Sequence, residues 1–244
     1  MSFNHNTSAG NIFVDLSGPF TNIHFILRVG FLRTIIDVLA LICTLLPTAV
    51  VAWTCLRLEL RRTAYHALYS TLGLFSFVGG AQMLTCHYCW VAGSRLGNSL
   101  HVVLGVLALW VGILGIYAKS AIKRRENKQH DIAEQERHIS SKHSWCGLLG
   151  YLLLLACAIT GVILIFVGAL AVHLFHRIFG FSGFVFLASS QWFSYNTAFA
   201  RRQWDRRWII GLQLATLGAV FLVGYDEVFH ISYDIVNIFK QRRL

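Results

Sequence analysis

A chain of 244 residues that is 56% hydrophobic and 13% charged, with a mean hydropathy of +0.59, has too little polar surface for a soluble globular domain. Its formal net charge of +10 comes from lysines and arginines in loops and tails, the ordinary distribution of a membrane protein, so no nucleic-acid partner follows from it. No segment is left over for a separate soluble domain of ordinary size, and the lipid bilayer is the first partner the composition requires.

In chain order, residues 1–33 form a polar N-terminal tail without the basic, apolar, small-residue order of a cleavable signal. Six apolar stretches follow, at about 34–54, 64–90, 100–118, 145–166, 172–195 and 208–228, each near the roughly 20 residues a helix needs to cross the hydrocarbon core. The expected fold is an all-α membrane protein, a bundle of six transmembrane helices over residues 34–228 with a basic tail at 229–244. Asp37, just inside the first stretch, is expected to pair or snorkel, and Pro47 to kink that helix. Gln82, Gln191 and Gln213 are expected to hydrogen-bond between helices, and Asp226 and Glu227 to end the sixth helix near water. Lys119 to Lys142 mixes both signs of charge and reads as a solvated connector. Cys43, Cys55, Cys146 and Cys157 fall in or beside apolar stretches, where a thiol behaves as a small apolar group, and imply no disulfide framework. Cys86-His87-Tyr88-Cys89 precedes Trp90 rather than a histidine, so it is not a haem c attachment site; an incidental cluster is the simpler reading.

The histidines are more informative. Four of the eleven open hydrophobic stretches and are followed four and seven residues later by small residues: His66 (Ser70, Gly73), His101 (Gly105, Ala108), His143 (Gly147, Gly150) and His176 (Gly180, Gly183). On a helix these positions share a face, so each imidazole stands over a groove stripped of side chains, wide enough for a flat cofactor or for a closely packed helix. His173 rivals His176, but its own fourth position is Arg177. Successive helices run antiparallel, so His66 and His143, opening the second and fourth, share one membrane face; His101 and His176, opening the third and fifth, share the other. Two imidazoles near each face are the axial set of two non-covalent haems b, whose iron takes two neutral histidines in electron-transfer proteins. The expectation is a four-helix di-haem core inside the six-helix bundle, with His66, His101, His143 and His176 as iron ligands.

Several of these segments resemble the cytochrome b561 family of six-helix transmembrane reductases. Ser-Lys-His143-Ser-Trp-Cys-Gly-Leu resembles the family's His-Ser-Trp-Cys/Leu-Gly signature, Leu100-His101-Val-Val-Leu its third-helix ligand, and His176-Arg-Ile-Phe-Gly180 its His-x-x-Phe-Gly. Arg-His138-Ile-Ser-Ser-Lys-His143 is similar to a His-x-x-Thr-x-His pattern in the subgroup whose members contain a b561 domain. The resemblance spans about residues 64–195. It implies an oxidoreductase that takes single electrons from ascorbate or another small cytosolic reductant and delivers them to monodehydroascorbate or a ferric chelate. His101 and His176 would serve the donor side, and His66 and His143 the acceptor side. Arg95 is the cation nearest the helix-three ligand. Independently of the resemblance, His138 and Lys142, just before the helix-four histidine, either bind an anionic acceptor or chelate at the mouth of that site or belong to a solvated loop. A homodimer is the assembly the resemblance implies. The family places both termini in the cytosol, whereas the arginines and lysines of the remaining loops point the other way by the positive-inside rule.

Two other classes compete. A small transporter would use intramembrane histidines as proton relays or metal ligands, which explains them singly but not their regular placement. A haem subunit passing electrons to a protein partner shares the same core and differs only in activity. Localisation is that of a multi-pass integral membrane protein, with vesicle, endomembrane and plasma membrane all open.

Overall fold

The computed structural model describes residues 21–59, 63–86, 95–129 and 141–241. The chain divides into two compact units, Met1–Ile35 and Ile36–Leu244. In the first, helix begins at Thr21; the second contains the bundle. The described elements are α1 (Thr21–Arg57), α2 (Thr63–Tyr69), a π-helical stretch (Ser70–Phe77), α3 (Val78–Cys86), α4 (Arg95–Gln129), α5 (Lys142–Phe166), α6 (Leu170–Ser194), α7 (Ala198–Gln203) and α8 (Arg206–Gln241). Among them six helical spans are long and apolar enough to cross a membrane: Phe31–Arg57, Thr63–Leu84, Arg95–Ala121, Lys142–Phe166, Leu170–Ser194 and Arg206–Lys240. The chain is thus an all-helical, multi-pass integral membrane protein, its second span assembled from α2, the π stretch and α3.

The outward faces are as apolar as the core. Trp110, Ile165, Phe166 and Phe229 are 65–81% exposed, acceptable only where the surrounding solvent is hydrocarbon. Inside, Phe75 stacks on Phe184 at 6.1 Å between ring centroids. This pair sits in a core with Ala40, Leu74, Val78, Ala108, Leu154, Leu187, Ala219 and Val223. A second cluster unites Val51, Cys55, Ala64, Tyr195 and Leu212. The second span packs along α4, and α5 packs along α6; α6 also packs on α8 and on the π stretch. Two antiparallel hairpins therefore lie side by side, one from spans two and three, the other from spans four and five. Gln191 bridges elements as expected, accepting from Thr71 Oγ1 at 3.1 Å and donating to Tyr195 Oη at 3.0 Å.

Three helix ends differ from the sequence expectation: α1 begins at Thr21, inside the stretch 1–33 read as a polar tail, and its span begins at Phe31. Helix α4 continues past Lys119 to Gln129, because Ala121, Lys123, Arg124, Arg125, Glu126, Lys128 and Gln129 are mostly strong helix formers that need no burial to stay helical. Helix α8 continues past Glu227 to Gln241. Asp226 and Glu227 do not face water: they are 7% and 2% exposed, and Glu227 is held by Arg177 of α6 through bonds of 3.1 and 3.2 Å. Both bonds come from Arg177 Nη1, and a buried carboxylate inside a span persists when a guanidinium hydrogen-bonds both of its oxygens.

Candidate functional site

Each of the four selected histidines lies in the first two turns of its span and is half-buried. The bundle brings them together in the two expected pairs. The rings of His66 and His143 are 6.0 Å apart between centroids and inclined at 74°; those of His101 and His176 are 5.9 Å apart at 71°.

Each ring is anchored in the same way. His66 Nδ1–H donates to Gly115 O at 2.9 Å, His101 Nδ1–H to Ala81 O at 3.0 Å, His143 Nδ1–H to Ser190 O at 2.8 Å and His176 Nδ1–H to Cys157 O at 2.9 Å. The exchange is reciprocal within each hairpin: the second span and α4 serve each other's histidines, as do α5 and α6. A proton fixed on Nδ1 leaves the Nε2 lone pair free to ligate and holds the ring plane, as hydrogen bonds around metal-bound histidines do.

The small residues after each histidine explain how the carbonyls come so close. A Cβ placed on Gly115 would stand 2.8 Å from Ser70 Oγ, one on Gly147 3.0 Å from Ser190 Oγ, and one on Gly180 3.1 Å from Cys157 Sγ. In three of the four motifs, then, the residue at the fourth position lies against the residue whose carbonyl anchors the histidine. One turn further, Gly73 faces Gly112, Gly150 faces Leu187, and Gly183 faces Leu154. These stripes form helix seams, and of the glycines in the four motifs only Gly105 has open space around it. Serine hydroxyls add a second contact at one pair. Ser190 Oγ donates to His143 O at 2.9 Å and accepts from His143 Nδ1 at the same distance, and Ser70 Oγ lies 3.2 Å from His66 Nδ1. At the other pair the corresponding contact is a thiol, Cys157 Sγ, 3.4 Å from His176 Nδ1.

The chemistry open to such a pair is narrow. Metal–nitrogen bonds of about 2 Å, plus about 1.2 Å from nitrogen to ring centre, would put two imidazoles that share one metal ion at most about 6.4 Å apart between centroids, near the observed 6.0 and 5.9 Å. Among the described residues no three His, Cys, Asp or Glu side chains come together as a metal site. A bare divalent ion would find half of the four ligands it needs, whereas a metal already held by four ring nitrogens in a plane needs only two. The residues therefore fit a bis-histidine haem at each pair.

The remaining candidates fall outside the pairs. His173 Nδ1 lies 3.2 Å from Asp234 Oδ2 of α8, so His173 belongs to an ionic cluster with Arg177, Glu227 and Asp234 rather than to the His101 pair. Sequence reasoning missed this cluster because Glu227 reads as a helix end and Asp234 as part of the tail beyond it. Arg95 is the exposed first residue of α4, on the side of His101; Lys142 is the exposed first residue of α5, next to His143. Ser141 caps α5, accepting from Ser144 N at 3.2 Å, which fixes where that helix and its histidine begin. His138 and His87 lie outside the described residues, as do Cys89 and the side chain of Cys86. A cavity of about 670 Å³ lined by Trp53, Arg57, Gln203, Trp204 and Trp208 includes none of the four histidines.

Comparison with curated proteins and with solved structures gives no match. Residues 65–204 match the family described as eukaryotic cytochrome b561, a range that contains both hairpins and all four paired histidines. The chain belongs to the eukaryotic cytochrome b561 family of transmembrane electron-transfer haem proteins.

Proposed function

We propose that His101 and His176 hold one haem b, that His66 and His143 hold a second, and that the protein is a transmembrane reductase. It takes single electrons from ascorbate or a similar small reductant on one face and delivers them to monodehydroascorbate or a ferric chelate on the other. The observation that carries this reading is the repeated geometry: two imidazole pairs at 5.9 and 6.0 Å, every Nδ1 tied to a backbone carbonyl. When bound, each haem supplies a one-electron ferric/ferrous couple with no open coordination position.

The chain's own residues do the rest. Anchored imidazoles keep the axial ligands fixed, so little rearrangement accompanies a change of charge at the metal. Along α4, Gly115 stands fourteen residues from His101, which places the two pairs about 21 Å apart along the helix axis and near opposite ends of the span. No proton donor or nucleophile is required. At the surfaces, Arg95 attracts an anionic reductant to the His101 side, and Lys142 with His138 an anionic acceptor to the His143 side.

The experiment is an oxidised-minus-reduced visible spectrum of the purified protein, with a pyridine haemochrome count and ascorbate added before dithionite. Two low-spin haems b per chain, reduced by ascorbate, are expected. His101→Ala or His176→Ala should remove one haem, and His66→Ala or His143→Ala the other. Unchanged haem content in all four variants would refute the ligand assignment, and reduction by dithionite alone would remove ascorbate as donor.

A further inference from the structure

Each of the four ligand-bearing spans carries a histidine for one pair and a carbonyl for the other. In three of them these two residues are fourteen apart: His101 and Gly115, His143 and Cys157, His176 and Ser190. In the second span, His66 and Ala81 are fifteen apart. On an uninterrupted α-helix one extra residue turns everything beyond it by 100° and lifts it by 1.5 Å. Ala81 O would then point away from His101, yet it accepts from His101 Nδ1 at 3.0 Å while His66 keeps its 2.9 Å bond to Gly115 O.

The second span is also the one, among the described residues, that contains a π-helical stretch, and Ser70–Phe77 lies wholly between His66 and Ala81. Hydrogen bonds from i to i+5 enclose one residue more per turn than those from i to i+4, so a single π turn absorbs an extra residue and returns the helix to its former register. The stretch is held on both sides of its partly exposed Leu72: Thr71 donates to Gln191 Oε1 at 3.1 Å, and Gly73 sits against Gly112.

We propose that Ser70–Phe77 is a register element, a one-residue insertion closed as a π turn, which keeps the second span aligned with both histidine pairs at once. The site-building unit is the fourteen-residue spacing, and the second span reaches it by looping out one residue. The proposal rests on the two-haem reading for its spectroscopic test and on helix geometry alone for its stability test.

The test compares the full-length protein with two single deletions. Removing Leu72 lets the π turn close into regular α-helix and gives the second span the fourteen-residue spacing of the others. Removing Leu107, which lies between His101 and Gly115 in uninterrupted α4, breaks that spacing with nothing to absorb the change. Deletion of Leu72 is expected to keep two haems per chain with unshifted low-spin g values in electron paramagnetic resonance. Deletion of Leu107 is expected to lose one haem of the two. Thermal unfolding supplies the haem-independent reading, with the larger fall in Tm expected for the Leu107 deletion. The proposal is overturned if the Leu72 deletion loses haem or Tm as much as the Leu107 deletion, fails to accumulate where the other does, or if the Leu107 deletion leaves both sites unchanged. Absence of haem from the unaltered protein would instead refute the haem reading, and the Tm comparison would still decide the register.

Discussion

Ser190→Ala is the sharpest probe of how the chain tunes one site without dismantling it. The Ser190 hydroxyl gives its proton to His143 O and accepts from His143 Nδ1 at 2.9 Å, while the backbone carbonyl of the same residue accepts from that nitrogen at 2.8 Å. Alanine removes the hydroxyl and keeps the carbonyl, so the ring stays oriented and haem content should not change. A hydrogen bond accepted from Nδ1–H makes the imidazole a stronger donor to iron and favours the ferric state. Its loss should therefore raise the reduction potential of the His66/His143 site. A neutral hydrogen bond contributes about 0.5–1.5 kcal/mol net. If the ferric and ferrous forms differ by about 0.5–1 kcal/mol of it, the shift is about 20–45 mV, at 59 mV per tenfold change for one electron. Spectroelectrochemical titration resolves the two sites as two Nernst components, and one should move while the other stays. Ser190 is fourteen residues from His176, about 21 Å along α6, too far for a neutral hydroxyl to act on the second site. A downward shift, or an equal shift of both components, would refute the assignment of Ser190 to His143.

Gly115→Ala should push α4 off the second span, since a Cβ there stands 2.8 Å from Ser70 Oγ and 3.1 Å from Ser70 N; a haem count and redox titration should show the His66/His143 site lost or heterogeneous and the other intact. Glu227→Ala leaves Arg177 buried without the carboxylate that its Nη1 bonds and should cost about 3–5 kcal/mol, read as a marked fall in Tm, whereas Asp205→Ala, which removes only the exposed cap accepting from Trp208 N at 2.9 Å, should cost about 1 kcal/mol. His173→Ala should leave both haems in place, because its ring is committed to Asp234; loss of a haem equal to that in His176→Ala would show that the wrong histidine was placed in the pair. Lys142→Ala should raise the KM for an anionic acceptor several-fold with spectra unchanged, and lose that effect at high salt.

The sequence made the spans and the pairing of histidines legible because both rest on coarse, repeated signals. Apolar stretches of membrane length announce themselves, and antiparallel order then decides which helix openings share a face. The anchors were less visible. A backbone carbonyl has no residue signature, so Gly115, Ala81, Ser190 and Cys157 carried no mark beyond small size. The same small residues were ambiguous for a physical reason: removing side chains from a helix face serves a flat ligand and a neighbouring backbone equally well. Packing took that space in three motifs of four. The ionic cluster of Arg177, Glu227 and Asp234 was hidden because paired charges inside a span read, one element at a time, as a helix end and the tail beyond it.

The reciprocal anchoring adds a constraint that neither hairpin shows alone. Because α5 gives His143 to one pair and holds His176 for the other through Cys157 O, while α6 gives His176 and holds His143 through Ser190 O, no helix of the core belongs to a single site. Sliding α5 against α6 by one residue would strain both rings at once, and the same holds for the second span against α4. Within a hairpin, register is thus specified twice, once near each membrane face. Between hairpins the packing is sparser, and the facing rings of each pair add to the stack of Phe75 on Phe184, the bond from Thr71 to Gln191 and the contact of α4 with α5.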